Sequence, residues 1–331
     1  MAYTTIDDPG IYFNTVTYSG TGSSQSITGV GFQPDFVWCK ARSGTYGSYD
    51  HNLFDVERGV TKRLNSNDTD AEATVPASLT AFNADGWTGG GDNETNNSST
   101  EYVSWNWKET ADAGFDIVTY TGNGSGRTLS HSLSAVPQMY IVKERGASGE
   151  AWNVYTKTLG EGNYVMLSST NASAASSTLF NNTAPTSSVF SVGADAGTNG
   201  NTKTYVAYLF AEKQGYSKFG SYTGNGNADG TFVYTGFSPA WVMIKRTTGA
   251  YNWMIFDNKR NTFNVIDNRL LANTYGAEVT GSSTHILDFV SNGFKIRSSN
   301  SAIGGGADPY IYMAFAENPF VTSTGVPATA R

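Results

Sequence analysis

Apolar residues occur along this chain in two patterns, and each indicates a different kind of β-strand. The segment DFVWCK, which begins at Asp35, is almost continuously apolar, as is WVMIK, which begins at Trp241. Such runs are typical of strands that are buried on both faces. The segment YVSWNWK alternates instead, so we expect Tyr102 and Trp105 on opposite faces of one strand.

Glycine-rich segments separate these runs and predict turns. ADGW, from Ala84, and SNGF, from Ser291, lie between apolar residues, as in β-hairpins. TGNG segments supply glycines where the backbone needs a positive φ. No amphipathic helical pattern extends beyond about ten residues. The chain is therefore predicted to be all-β, built from antiparallel, jelly-roll-like β-sandwiches.

Several motifs recur in the same order, which predicts three tandem copies of one unit. TYSGTG, TYTGNG and SYTGNG place Tyr18, Tyr120 and Tyr222 at equal intervals of 102 residues. Each is followed by a proline-containing strand motif: FQPDFVWCKAR, AVPQMYIVKER or FSPAWVMIKRT. Each unit closes with EYVSWNWKE, TYVAYLFAE or PYIYMAFAE. The three predicted sandwich units, of about 100 residues each, span residues 1–112, 113–214 and 215–320. The polar tail spans residues 321–331.

The linkers between these units are short, so we expect the units to pack together and share an extended core. The second unit diverges most. Thr156 stands where its neighbours have Asp55 and Asp257, after the mid-unit aromatic residue. We expect this unit to serve mainly as the packing unit between the outer two.

Charge and composition exclude some functions. The net charge of −7 argues against a nucleic-acid binder, which needs a basic face for phosphates. The N-terminus lacks the basic start and apolar stretch of a signal peptide, and no segment is apolar enough to insert into a membrane. The single cysteine, Cys39, lies in an apolar run and is predicted to be a small core residue.

The sequence offers no recognisable catalytic motif. A glycosidase needs two carboxylates across a cleft, and spacing alone cannot establish such a pair. The three histidines, His51, His131 and His285, lie far apart and lack metal-ligand spacing, so we expect no catalytic residue and no cofactor. The carboxylates that can be nominated for a glycosidase are Asp55, Glu57, Asp85, Asp257 and Asp288.

Two oxygen-rich loops leave open a structural Ca²⁺ site, although neither matches an EF-hand. Their residues are Asp68, Asp70 and Glu72 in one loop and Asp92, Glu94 and Asn96 in the other.

Other loops combine aromatic side chains with Asn, Ser and Gly, a composition typical of binding surfaces. SGTYGSYDHN, from Ser43, and TTGAYNW, from Thr247, occupy corresponding places in units one and three. These loops either cap the sandwiches or stack on sugars or a protein partner. The candidate ligand or partner residues are Tyr46, Tyr49, His51, Trp152, Tyr251 and Trp253.

Long motifs in this chain resemble structural proteins of marine bacteriophages. SYTGNGNADGTFVYTGFSPAWVMIKRT and PYIYMAFAENPF carry the resemblance in the third unit, and LFDVERG and YVSWNWKE carry it in the first. NNTAPTSSVFSVG carries it in the second unit, so the similarity covers residues 10–320.

The resemblance implies a non-enzymatic virion protein that is made in the host cytoplasm and exposed on the particle. It favours a tail-fibre or appendage component for host attachment, whose partners would be other virion proteins and a host surface glycan or receptor. A head decoration protein and a polysaccharide-degrading depolymerase are the alternatives. The three similar units suggest a match to a symmetric docking site, with a homo-oligomer, a trimer, as the expected state.

Overall fold

The computed structural model describes residues 2–43 and 49–329, and almost all of their regular structure is β. They form six antiparallel sheets, three larger and three smaller. The helices in these residues are single turns: a 3₁₀ turn at Pro9–Ile11, α1 at Asn93–Asn96 and α2 at Ala196–Asn199. This confirms the predicted all-β fold of antiparallel sandwiches.

We call the part of the chain that forms the first larger and first smaller sheet section 1. Its larger sheet has the order β1-β9-β3-β4-β5-β6, and its smaller sheet has the order β2-β8-β7. The strands are β1 (Phe13–Ser19), β2 (Gln25–Ile27), β3 (Phe36–Ala41), β4 (Asn52–Asp55), β5 (Lys62–Asn65), β6 (Ala73–Thr74), β7 (Leu79–Asn83), β8 (Gly86–Gly89) and β9 (Glu101–Trp107).

Section 2 follows with a larger sheet of the corresponding order, β10-β17-β12-β13-β14-β15, and a two-stranded sheet, β11-β16. The strands are β10 (Phe115–Thr121), β11 (Arg127–Ser130), β12 (Pro137–Glu144), β13 (Asn153–Thr156), β14 (Asn163–Met166), β15 (Ala174–Ala175), β16 (Val189–Val192) and β17 (Thr204–Ala211).

Section 3 has a larger sheet of order β18-β25-β20-β21-β22 and a smaller sheet of order β19-β24-β23. The strands are β18 (Ser217–Thr223), β19 (Phe232–Tyr234), β20 (Phe237–Arg246), β21 (Met254–Asp257), β22 (Leu270–Leu271), β23 (Leu287–Val290), β24 (Gly293–Ile296) and β25 (Pro309–Pro319).

The two faces of each larger sheet have different partners. In β9, Tyr102 packs with Val37 and with Trp87 of the smaller sheet, inside the sandwich of section 1. Trp105, on the opposite face, belongs to a core that all three sections share. The predicted separation of Tyr102 and Trp105 is therefore confirmed, and it follows from the two-residue period of a strand.

The shared core explains why the larger sheets are buried on both faces. Each larger sheet contributes one face to it, as expected for units that pack together. The large aromatic side chains in it include Phe36, Trp38, Trp105, Trp107, Phe115, Trp152, Tyr208, Phe210, Tyr216, Trp241, Trp253 and Phe315.

Backbone hydrogen bonds join the sections in a closed cycle. Each section donates a backbone N–H to a carbonyl at the end of the proline-motif strand of another section. The expectation that the second section lies between the outer two is therefore wrong, because sections 1 and 3 also contact each other directly. The three bonds are Glu72 N to Arg145 O (2.9 Å), Ser173 N to Thr247 O (2.8 Å) and Glu278 N to Arg42 O (3.0 Å).

The chain ends lie close to each other in section 3. Ser323 donates to the Asp7 carboxylate, and the Tyr3 hydroxyl donates to the carbonyl of Gly236 at 2.8 Å. Ala328 donates its N–H to the Phe320 carbonyl, so the polar tail folds back on itself beside the N-terminal segment.

Candidate functional site

The residues predicted for ligand contact are mostly buried. Tyr46 lies outside the described residues. Trp152 and Trp253 are at most 1% exposed, and their indole N–H groups donate to backbone carbonyls of the neighbouring section. Trp152 reaches Asn65 and Trp253 reaches Met166, both at 2.8 Å. The prediction that these tryptophans contact a ligand is wrong, because they are hydrogen-bonded inside the shared core.

His51 occupies the corresponding position of section 1 and is also fully buried. Its Nδ1 accepts a hydrogen bond from the Trp38 indole at 2.8 Å. Burial, followed by the nearby Lys40 cation, holds the pKa of His51 well below its ordinary value, so the ring is neutral. His51 is therefore a core residue, and its predicted role in partner contact is wrong.

Tyr49 and Tyr251 are half-buried and pack against the sandwich cores of sections 1 and 3. The Arg246 guanidinium lies 4.3 Å from the centre of the Tyr251 ring, so one ring face is occupied by a cation–π contact. Both tyrosines therefore contribute to packing at the loop bases.

Asp55 is not a cleft carboxylate, because it is completely buried at the contact between sections 1 and 2. Its Oδ2 accepts hydrogen bonds from Arg58 Nε at 2.5 Å and from the Tyr208 hydroxyl at 2.7 Å. Between sections 3 and 1 the same arrangement joins Asp257, Arg260 and Trp105.

The contact between sections 2 and 3 lacks this ionic group. Thr156 takes the position of the aspartate, and Met313 takes the position of the Tyr208 donor, since Trp105, Tyr208 and Met313 share one register in their sheets. Acceptor and donor are thus both absent at this contact. The missing aspartate of the second unit therefore coincides with the missing donor at this contact.

The remaining carboxylates nominated for catalysis either form contacts within the protein or are exposed. Asp85 accepts hydrogen bonds from the N–H groups of Gly29 and Gly31 in a turn. Asp288 pairs with Arg297 at 3.3 Å, and Glu57 is exposed.

Several polar side chains of the two predicted calcium loops form ion pairs or hydrogen bonds within the protein. Asp92 pairs with Arg63 at 3.1 Å, and Glu72 pairs with Arg145 at 2.9 Å. Asn96 donates to the carbonyl of Gly90. Among residues 2–43 and 49–329, no three His, Cys, Asp or Glu side chains are placed to hold a metal ion.

An open groove of about 640 Å³ lies on section 2, beside the contact with section 1. Sequence analysis did not predict it. Its lining is polar, apart from a tyrosine ring and a few small or apolar side chains. The residues that line it are Thr69, Gly149, Glu150, Ala151, Asn153, Tyr164, Met166, Ser168, Ser169, Ala175, Ser176, Leu179, Asp195 and Gly197.

The floor of the groove is formed by Gly197 and Asn153. A Cβ atom at position 197 would lie 2.6 Å from Asn153 Nδ2, so any side chain there would displace the amide. The same point is 3.2 Å from Asp195 Oδ1 and 3.4 Å from Glu150 Oε2. Glycine at this position therefore leaves room for the Asn153 amide, and the Asp195 and Glu150 carboxylates lie next to it on the groove lining.

Both carboxylates are only partly engaged. Asp195 Oδ1 accepts the Gly197 N–H at 2.8 Å, and its Oδ2 has a longer contact of 3.3 Å with the Thr178 hydroxyl. Glu150 Oε1 pairs with Lys203 at 3.3 Å, and about a third of each of these two side chains is exposed.

Section 1 fills the corresponding place with its own side chains. Arg63 and Tyr164 share a register, since they pair with Ala73 and Ala174 in corresponding strands. The Arg63 guanidinium lies 3.1 Å from Asp92 and 3.9 Å from Glu94. Section 2 has Tyr164 in place of Arg63 and Gly197 in place of Glu94. These two differences between the repeats are the signal in the sequence that could have predicted the groove.

No helix in the part of the chain that the structure describes is long and apolar enough to span a membrane.

Comparison with known proteins gives a family but no activity. No curated protein sequence matches the chain. A family model described as "Domain of unknown function (DUF7483)" matches residues 8–319, almost the whole length. The chain therefore belongs to the DUF7483 family.

Proposed function

We propose that this protein is a non-enzymatic structural component exposed on a bacteriophage particle, where it takes part in attachment to host surface glycans as part of a tail fibre or appendage. The virion assignment is supported by the motifs that resemble marine phage structural proteins. The observation that carries glycan recognition is the open polar groove of section 2.

The chemistry of the groove suits a sugar. An aromatic ring offers a face for the C–H side of a pyranose, and Tyr164 supplies one within the lining. Amide, hydroxyl and carboxylate groups hydrogen-bond to sugar hydroxyls, and Asn153, Ser168 and Asp195 supply these groups. The volume and open shape fit a short stretch of polysaccharide that continues beyond the protein.

A decoration protein of the phage head is the second candidate. Three sections of similar strand order share one core, and from this we infer a body of approximate threefold form built from a single chain. Such a body matches a threefold position on a particle, alone or as a trimer. Its partners would then be capsid proteins.

A polysaccharide-degrading enzyme is the third candidate, because Glu150 and Asp195 line one groove. Glycosidases use two carboxylates on opposite sides of the scissile bond. Both carboxylates already have structural contacts, with Lys203 and with the Gly197 N–H, and these contacts favour a binding role.

Two measurements test the proposal. Immunogold labelling or a map of the intact particle locates the protein; we expect the tail, whereas absence from both tail and head refutes the virion assignment. Incubation with host polysaccharide then measures reducing ends. We expect binding without release of sugar, and a rate of release that falls in a Glu150→Gln variant would instead establish the enzyme.

A further inference from the structure

The place that an arginine occupies in section 1 is open groove in section 2. The Arg63 guanidinium lies 3.1 Å from Asp92 and 3.9 Å from Glu94, so one cation partly offsets the charge of the two carboxylates. In section 2 the corresponding side chain is Tyr164, which carries no charge. The carboxylates of Asp195 and Glu150 border the groove without an arginine between them.

We propose that the groove of section 2 binds a glycan that carries free amino groups, with a sugar ammonium between Asp195 and Glu150. This inference rests on the proposed glycan recognition and specifies its chemical class. The ammonium takes the electrostatic role that the Arg63 guanidinium has in section 1. A primary ammonium has three N–H donors and so can reach both carboxylates at once.

The existing partners of the two acids leave room for such a ligand. Lys203 is about one third exposed, and ion pairs at that exposure contribute little to stability, so the lysine can rotate away at small cost. Asp195 Oδ2 has only the 3.3 Å contact with Thr178. Each acid therefore keeps acceptor capacity toward the groove.

The same carboxylates disfavour the common acidic polysaccharides. A sulfate or uronate would lie beside two like charges in a partly desolvated groove, where repulsion is stronger than in bulk water. A neutral N-acetylated sugar keeps the contact with Tyr164 and the hydroxyl contacts but loses the charge-assisted hydrogen bonds. The expected order of affinity is amino sugar, then neutral sugar, then acidic sugar.

The test uses calorimetry on the full chain with two trisaccharides of the same linkage, a β-1,4-glucosamine trimer and its fully N-acetylated form. At pH 6 and low salt we expect the free amine to bind at least tenfold more tightly. We also expect the difference to shrink as salt screens the charges. Equal affinity for the two sugars would overturn the charge inference and leave glycan recognition intact.

Two substitutions at one position locate the site. Tyr164→Arg copies the filled arrangement of section 1 and should reduce affinity for the glucosamine trimer at least tenfold. Tyr164→Phe keeps the ring and should change affinity less than threefold. Arg63→Lys, a substitution at the corresponding position of section 1, should leave binding to the groove unaltered.

Three results would count against the proposal. Undiminished binding by a folded Tyr164→Arg protein places the sugar elsewhere and overturns it. Displacement of the sugar by trilysine at lower concentration assigns the groove to a basic protein segment and overturns it as well. Failure of every sugar to bind, in a protein that is nevertheless located on the particle, refutes glycan recognition while the virion assignment stands.

Discussion

Replacement of Asp55 by threonine tests whether the buried ionic groups hold the sections together. Asp55→Thr copies Thr156 of section 2 into section 1. The change removes the acceptor of Arg58 Nε and of the Tyr208 hydroxyl, and both Asp55 and Arg58 have completely buried side chains. A guanidinium without its nearest carboxylate and a hydroxyl without its acceptor would then remain inside the protein.

The expected loss follows from those contacts. Removing one partner of a buried ion pair costs about 3–5 kcal/mol, because the other charge stays desolvated. Glu72 still contacts Arg58 at 3.2 Å and is itself only 11% exposed, so part of the charge remains compensated. We therefore expect Asp55→Thr to lower the free energy of unfolding by about 3 kcal/mol.

A triple variant separates charge imbalance from simple loss of contacts. Asp55→Thr combined with Arg58→Leu and Tyr208→Phe removes acceptor and donors together, as at the contact between sections 2 and 3. Replacement of a whole buried ion pair by apolar groups is often close to neutral. We expect the triple variant to lose only about 1 kcal/mol, less than the single one.

Urea unfolding at pH 7 measures these differences through tryptophan fluorescence, because all seven tryptophans are at most 3% exposed and report on the core. Asp257→Thr at the contact between sections 3 and 1 is the parallel case, and Thr156→Ser is the control at the apolar contact. A loss below about 1 kcal/mol for Asp55→Thr, or a triple variant less stable than the single one, would refute the reasoning.

Three further predictions concern one half-buried side chain, Glu109, and two buried ones, Cys39 and His51. Burial and a hydrogen bond with Asp116 raise the pKa of Glu109 from 4.5 to about 8. The folded chain then holds a proton that the unfolded chain releases, so the free energy of unfolding should fall as pH rises from 4.5 to 8. Glu109→Gln should flatten this pH dependence in unfolding titrations. An unchanged pH dependence in the variant would contradict the prediction. Burial raises the pKa of the Cys39 thiol to about 12, so a thiol reagent at pH 8 should label the native protein at least a hundredfold more slowly than the urea-unfolded chain. His51→Trp should lower the unfolding free energy by about 1–3 kcal/mol, because the added volume meets Trp38; a stabilised variant would show that the core has room.

Much of the local structure was predictable from the order of residues. Alternation in the closing motif placed Tyr102 and Trp105 on opposite faces, and ADGW and SNGF both form the turns of hairpins. These features are local, because strand period and turn geometry depend on a few adjacent residues. Pro239 of the third proline motif lies within β20, at an irregularity in the register with β25.

The aromatic loop residues show where local reasoning fails. Trp152 and Trp253 have the composition and neighbours of a binding loop, yet each donates to a carbonyl of another section. His51 stands in their place in section 1, where the bulky Trp38 replaces the Ile141 and Met243 of the other sections. The small ring of His51 and the large indole of Trp38 compensate for each other in volume. This compensation can be recognised only in the packed core.

The sequence by itself determined the β-strands, their two faces and their turns, because each depends on neighbours along the chain. The tertiary structure decided which faces meet, and with that which polar groups are buried. It made Asp55 and Asp257 structural, and it closed the site of section 1 with Arg63. It left the groove beside Tyr164 open. The side chains that line a groove are far apart in sequence, and whether they meet is decided only when the sheets pack.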